Sequence, residues 1–314
     1  MEQEPSNTTL PPSQENGVTP SKGAYDQLRK LLVPFAVILT LVLSSWATKE
    51  GEEILPETPS YKEVGQNPFD TLMVFAQSAY ILDVNHNEVL YEKNSGAQLP
   101  LASVTKLMTA LLAAEALEKN RISLESLKIP KSVWDFDELI TYTLVTSSNE
   151  GAQELASAVT ALSPQGKDFV SIMNEKAREI GLSQTYFINP TGLDVGGRIG
   201  GGYGSARDVA YLMRYALIHY PDMLDGTRYG TVSLETKNGG ELLAENTNTA
   251  VGMIPGVIGS KTGTTALAGG NLVIAFDAGL NRPIIISLLS GTEENRFRDA
   301  QRLAWATLAY LEKR

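Results

Sequence analysis

The first sharp contrast between polar and apolar positions falls at residue 31. Residues 1–30 are polar and broken by Pro, Gly, Ser, Asn and Thr, the composition of a disordered cytoplasmic tail. The run 31–47, LLVPFAVILTLVLSSWA, carries no charge and follows Arg29 and Lys30 directly. In lipid such a run must be helical, because only a helix satisfies its own backbone. It is expected to be an uncleaved transmembrane anchor with its N-terminus in the cytoplasm. A cleaved signal peptide and a buried core helix are the alternatives; the long leader counts against the first and the polar and acidic flanks against the second. Residues 48–68 are acidic and proline-bearing, suited to an extracytoplasmic linker.

From 69 to 314 the pattern is that of a folded domain. SAYILDV and VLYEK, separated by a polar turn, predict a hairpin near its start. SVTKLMTALLAAEALE, from Ser103 to Glu118, predicts a strong helix, being rich in Ala, Leu and Met with no Gly or Pro inside. Further helices are predicted at about 138–147, 150–160, 167–180 and 205–219, the third closed by Gly181. NLVIAFDAG and RPIIISLLSG predict two strands joined at Leu280-Asn281, and 293–313 a final amphipathic helix. Strands at both ends with helices between predict an α+β, three-layer fold, one antiparallel sheet covered by helices. The stretch 183–203, SQTYFINPTGLDVGGRIGGGY, is too long and glycine-rich for a mere connector and is expected to frame a site.

Composition narrows the chemistry. With 36 acidic against 26 basic residues the formal charge is −10, which argues against nucleic acid as a partner. There is no cysteine, so thiol nucleophiles, disulfides and thiolate metal sites are excluded. Only His86 and His219 are available as imidazole bases, so no histidine-rich metal site forms and a serine nucleophile is expected to use another base. Both histidines read as surface residues, and neither a metal nor a cofactor is implied.

Three short segments carry candidate chemistry: Ser103-Val104-Thr105-Lys106, Ser147-Ser148-Asn149 and Lys261-Thr262-Gly263. Ser103 falls in the first turn of the strong helix, and Lys106 one turn later on the same face. A desolvated lysine near a second cation would have a lowered pKa and could take the serine proton. Ser147 could relay a proton and Asn149 hold a carbonyl. Lys261 and Thr262 would offer a cation and a hydroxyl to a carboxylate, with Gly263 clearing the backbone. Each segment taken alone has a plainer reading, as helix caps, a solvated lysine or a glycine-bearing turn.

Taken in order, S-x-x-K, S-x-N and K-T-G resemble the signature of penicillin-recognising serine enzymes. The longer strings LPLASVTKLMTALLAAEAL, SSNEGAQELA, FINPTGLD, YGSARDVAYL and NTNTAVGMIPGVIGSKTGTTALAGGNLV look like the low-molecular-mass D-alanyl-D-alanine carboxypeptidases. The resemblance implies a DD-peptidase/β-lactamase-like fold and removal of terminal D-alanine from peptidoglycan stem peptides. It implies Ser103 as acylated nucleophile, Lys106 as base, and Ser147 with Asn149 as relay and clamp. Lys261 and Thr262 would receive the terminal carboxylate, and the backbone N–H groups of Ser103 and Thr264 would form the oxyanion hole. β-Lactams would then be covalent inhibitors. Departures are Ser148 and Glu150 in a motif usually S-G-N-D, Thr264 where an aromatic or histidine is frequent, and Asn271 in place of a cysteine.

Three alternatives remain. A D,D-endopeptidase uses the same residues with more room beyond the leaving group. A class A β-lactamase needs a loop glutamate, but Glu175 and Glu179 fall in a helical pattern. A non-catalytic wall-binding protein would usually have lost Ser103, Lys106 or Lys261. Asp194 and Asp208 are expected to organise the glycine-rich loop, and Arg198 is a weaker candidate for holding the peptide.

Overall fold

The structure, a computed structural model, describes residues 67–119, 132–163 and 166–314. The expected hairpin is present as β1 (Ser78–Asp83) and β2 (Glu88–Lys93). A second hairpin, β9 (Gly269–Asp277) and β10 (Pro283–Gly291), turns at Leu280 and Asn281, both with left-handed φ, 55° and 59°. β1 pairs antiparallel with β10, so the two ends of the domain meet mid-sheet. A further strand, β8 (Val257–Thr265), completes a five-stranded antiparallel sheet of order β2-β1-β10-β9-β8. Lys261-Thr262-Gly263 therefore lies inside an edge strand.

Successive strand residues point to opposite faces of a sheet. Leu272, Ile274 and Phe276 of β9 and Ile284, Ile286 and Leu288 of β10 share one core with Ala300, Leu303 and Ala304. Those three belong to the C-terminal helix, Asn295–Glu312. Val273, Ala275, Ile285 and Leu289 share the other core with the remaining helices. Burial on both faces explains why these strands read as continuous apolar runs rather than alternating ones. The result is a three-layer α+β domain, as expected.

The helical layer holds α1 (Lys106–Lys119), α2 (Phe136–Val145), α3 (Asn149–Ala161), α4 (Phe169–Ile180) and α5 (Ala206–His219); the C-terminal helix is α6. α1 is buried nearly all round through Ala116, as an Ala- and Leu-rich helix with no polar face must be. Ser148, Asp168 and Ser205 cap α3, α4 and α5 by accepting from backbone N–H groups. Gly181 closes α4 in the left-handed conformation, φ 87°.

Two parts of the fold besides β8 escape the sequence pattern. The stretch 183–203 contributes β4 (Tyr186–Phe187) and leads into β5 (Gly202–Gly204). These join β3 (Leu99–Pro100) in a small sheet of order β3-β5-β4, tying the glycine-rich loop to the chain entering Ser103. β6 (Thr231–Glu235) and β7 (Glu241–Glu245) form a separate hairpin.

The expectation of a transmembrane helix is corrected. Among the described residues no helix is long and apolar enough to cross a membrane. The run 31–47 lies outside the described residues, as do the tail and most of the linker.

Candidate active site

Ser103 sits in a 3-10 turn, Ala102–Thr105, that runs directly into α1. The sequence predicted an α-helical first turn. The tighter turn brings residues i and i+3 into eclipse, which stacks Lys106 over Ser103. Lys106 Nζ lies 2.9 Å from Ser103 Oγ, and it donates to Asn149 Oδ1 at 2.8 Å and to the Thr191 carbonyl at 2.8 Å. Lys106 is fully buried and all three partners are uncharged. Desolvation therefore lowers its pKa from the usual 10.5 to about 8, with Glu150 opposing the shift. Near neutrality a proton on this amine is easily surrendered, as a general base requires.

The turn is pressed between two bare backbones. A Cβ on Gly192, whose φ is 80°, would lie 1.9 Å from the Ala102 carbonyl oxygen. One on Gly263 would lie 2.8 Å from the Leu101 carbonyl oxygen, 2.9 Å from Val104 N and 3.1 Å from Ser103 N. Only glycine fits at either place. Gly263→Ala is expected to push β8 off the turn. The melting temperature should fall by about 5 °C or more, and penicillin acylation should slow by more than about tenfold. Thermal scans and adduct-formation rates on the same preparation check this; unchanged acylation would count against the packing argument.

Ser147, between α2 and α3, has a left-handed φ of 61°, unusual for a residue other than glycine. This conformation turns its hydroxyl toward β8, where Oγ accepts from Lys261 Nζ at 2.9 Å. The plainer helix-cap reading belongs instead to Ser148, whose Oγ accepts from Gly151 N at 3.0 Å. Asn149, the first residue of α3, reaches Lys106. Lys261 is also buried; it donates to the Thr262 carbonyl at 3.0 Å. Burial, then the positive charges of Lys106 and Arg296, hold its ammonium well below the ordinary lysine range. Two buried amines with neutral partners form a site that attracts an anion.

Thr262 Oγ1 lies 2.6 Å from Thr247 Oγ1. Arg296, near the start of α6, reaches β8: its Nη1 donates to the Gly263 carbonyl at 2.9 Å and to the Thr264 hydroxyl. Sequence reading missed Arg296 and Thr247. Arg296 is one of several basic residues in NRFRDAQR, and Thr247 sits in a polar stretch, so nothing in the pattern separates them from surface residues. Asn271 binds the Pro100 carbonyl at 2.9 Å and accepts from Ser290 N at 2.7 Å, fixing the approach to Ser103 against the sheet.

The remaining candidates divide as follows. Asp194 accepts from Thr265 Oγ1 at 2.9 Å and Leu267 N at 3.2 Å, so the glycine-rich loop is clipped to the β8–β9 turn. Asp208 accepts from Gln184 N at 2.7 Å and Thr185 Oγ1 at 2.9 Å at the start of that loop. Both organise the loop. Arg198 is exposed on it. His86 pairs with Asp83 in the β1–β2 turn at 2.9 Å, and His219 packs on Tyr215 at 4.3 Å between ring centres; neither bonds to Ser103 or Lys106. Glu175 pairs with Lys167 on an exposed face and Glu179 with Lys176.

Comparison with known proteins gives a consistent result. Residues 64–137 and 130–291 match a family described as D-alanyl-D-alanine carboxypeptidase. The chain is 32% identical over 238 residues to D-alanyl-D-alanine carboxypeptidase DacF of Bacillus subtilis, covering 70% of this chain and 59% of that protein. It therefore spans about three-fifths of that relative's length. It is 30% identical over 251 residues to a D-alanyl-D-alanine endopeptidase of Escherichia coli, covering 72% of this chain and 75% of the relative. The ampicillin-bound penicillin-binding protein D2 of Listeria monocytogenes superposes with a TM-score of 0.64 at 30% identity, over 75% of this chain and 98% of that one.

Proposed function

The chain belongs to the D-alanyl-D-alanine carboxypeptidase family, and from that premise we propose that it removes the terminal D-alanine of peptidoglycan stem peptides through an acyl-enzyme on Ser103. The observation that carries the reading is the buried Lys106 amine, 2.9 Å from Ser103 Oγ, with only neutral partners. Neutral Lys106 takes the Ser103 proton as Oγ attacks the penultimate D-alanine carbonyl. The resulting oxyanion is received by the backbone N–H groups of Ser103 and Thr264, the second on the edge strand β8. Collapse breaks the peptide bond, and the proton passes from Lys106 toward the leaving amine with Ser147 as relay. Water, deprotonated by Lys106, then releases the acyl group. Lys261, Thr262 and the neighbouring Arg296 favour a substrate ending in a carboxylate, Gly263 lets it lie against the strand, and Asn149 steadies Lys106. A β-lactam would acylate Ser103 in the same way. The reading places the catalytic domain outside the cytoplasm, where such peptides are found.

A D,D-endopeptidase is the second reading, favoured by the match to the Escherichia coli endopeptidase over three-quarters of its length. One experiment separates them. The full chain is incubated in parallel with a peptide ending in Lys-D-Ala-D-Ala and with a cross-linked stem dimer, and free D-alanine and monomer are quantified. Release of D-alanine with little dimer cleavage supports the carboxypeptidase. Preferential cleavage of the dimer supports the endopeptidase, and neither product would sink both.

The pH profile tests the base. Lys106 must be neutral to accept a proton, and its pKa is about 8. Below that value kcat/KM should fall about tenfold per pH unit and rise to a plateau above it. Glu150 favours the ammonium form, so Glu150→Gln should move this limb to lower pH. A flat profile, or a limb unmoved in the variant, would remove Lys106 from the role of base.

A further inference from the structure

Ser103, Ser147 and Thr262 of the candidate site each carry a hydroxyl met by a group able to fix the direction of its proton. Ser103 Oγ has Lys106 at 2.9 Å and Ser147 Oγ has Lys261 at 2.9 Å. Thr262 Oγ1 has Thr247 Oγ1 at 2.6 Å. We infer that Thr247 is a positioning residue, whose hydroxyl donates to Thr262 and so turns the Thr262 proton toward the carboxylate of a bound ligand. The inference deepens the role given to Thr262 above and rests on it.

A hydroxyl has one proton and two acceptor sites, and a carboxylate only accepts. Only one proton can lie between Thr247 and Thr262. If Thr262 supplied it, Thr262 would present lone pairs to an arriving carboxylate, and the two would repel. If Thr247 supplies it, Thr262 keeps its own proton for the ligand. Thr262 is buried with 4% exposure, whereas Thr247 is exposed and leaves its remaining acceptor sites to solvent. With a carboxylate bound, the Thr247 proton goes to Thr262 and the Thr262 proton to the ligand, so neither is left unpaired.

The backbone around Thr247 is held for the task. Thr247 N donates to the Val145 carbonyl at 3.2 Å, two residues before Ser147. Asn246 Nδ2 donates to the Thr227 carbonyl at 2.8 Å and the Tyr229 carbonyl at 2.9 Å, and its Oδ1 accepts from Asn248 N at 2.9 Å. Thr227 Oγ1 in turn accepts from Ser260 N at 2.9 Å, adjacent to Lys261 in β8. Thr247 is thus tied to the wall bearing Ser147 and to the wall bearing Lys261 and Thr262. As a β-branched residue it also has few rotamers to lose.

Thr247→Val keeps the shape and removes the hydroxyl, while Thr247→Ser keeps the hydroxyl. Second-order acylation rate constants of the full chain are measured with benzylpenicillin and with its methyl ester, which lacks the carboxylate charge. The valine variant should react about tenfold more slowly with the acid and within about twofold of the parent with the ester. The serine variant should match the parent with both. An equal fall with acid and ester, no fall with the acid, or no rescue by serine would overturn the positioning role while leaving the Ser103 reading intact. A parent chain inert to both compounds would overturn that reading, and this inference with it.

Discussion

Ser103→Ala should abolish D-alanine release from a Lys-D-Ala-D-Ala peptide, lowering kcat by about 10⁴-fold or more. The same variant should carry no penicillin adduct after prolonged incubation. Every bond-making step in the proposed reaction passes through Ser103 Oγ, and alanine leaves Lys106 with no proton to accept. Lys261 and Thr262 on the edge strand and Arg296 beside it would remain, so the variant should still bind ligand. Ser103 is half-buried in a short turn whose conformation is set by the glycines packed on either side, so its loss should leave the melting temperature near the parent's. Intact-mass spectrometry and a D-alanine assay together decide the matter. Residual turnover within about tenfold of the parent would mean that another group is the nucleophile.

Lys106→Met should cost about 10³-fold or more in acylation, since it removes the base while leaving Ser103 in place. Stability separates this from unfolding. The pKa shift from 10.5 to about 8 means that the buried ammonium is penalised by roughly 3 kcal/mol in the folded state near neutrality. The sign follows from linkage. The folded pKa lies below the unfolded one, so the penalty is fully present below about 8 and fades as pH rises to 10.5. Methionine removes that penalty but deprives Ser103, Asn149 and the Thr191 carbonyl of a donor, each worth about 1 kcal/mol. The two effects are of the same size and opposite sign. The variant should therefore melt within a few degrees of the parent while being almost inactive. Thermal scanning beside single-turnover acylation checks it, and a collapse of both quantities would point to a structural role for Lys106.

Much of this was legible in the sequence because it depends on local pattern. The β1–β2 and β9–β10 hairpins, the six helices among the described residues and the three-layer arrangement follow from apolar periodicity and length. β8 did not, because VIGSKTGTT spends its positions on function: Lys261 reaches Ser147, Thr262 reaches Thr247, and Gly263 admits the Ser103 turn. A strand used as a binding edge loses the β-branched and aromatic signal that marks a strand used as core. The three motif segments could be named from their order, yet their convergence could not. That Lys261 touches Ser147, 114 positions away, is a property of sheet order and packing. Arg296 and Thr247 were invisible for the same reason, since each reaches β8 from an element that the pattern places on the surface. The 3-10 turn at Ser103 was read as ordinary helix because its composition does not differ from one.

Ala102 and Ser147 both hold left-handed backbone, with φ of 47° and 61°, and so stand in conformations that glycine adopts without strain. Their evolutionary prospects nevertheless differ. At 102 a change to glycine would relieve about 1 kcal/mol of strain and forfeit a buried methyl worth about as much. Selection would scarcely notice, and Ala and Gly should interchange there by neutral drift among orthologues. At 147 the same relief deletes the hydroxyl on Lys261, so the strained residue should persist through divergence even in lineages under pressure for heat resistance.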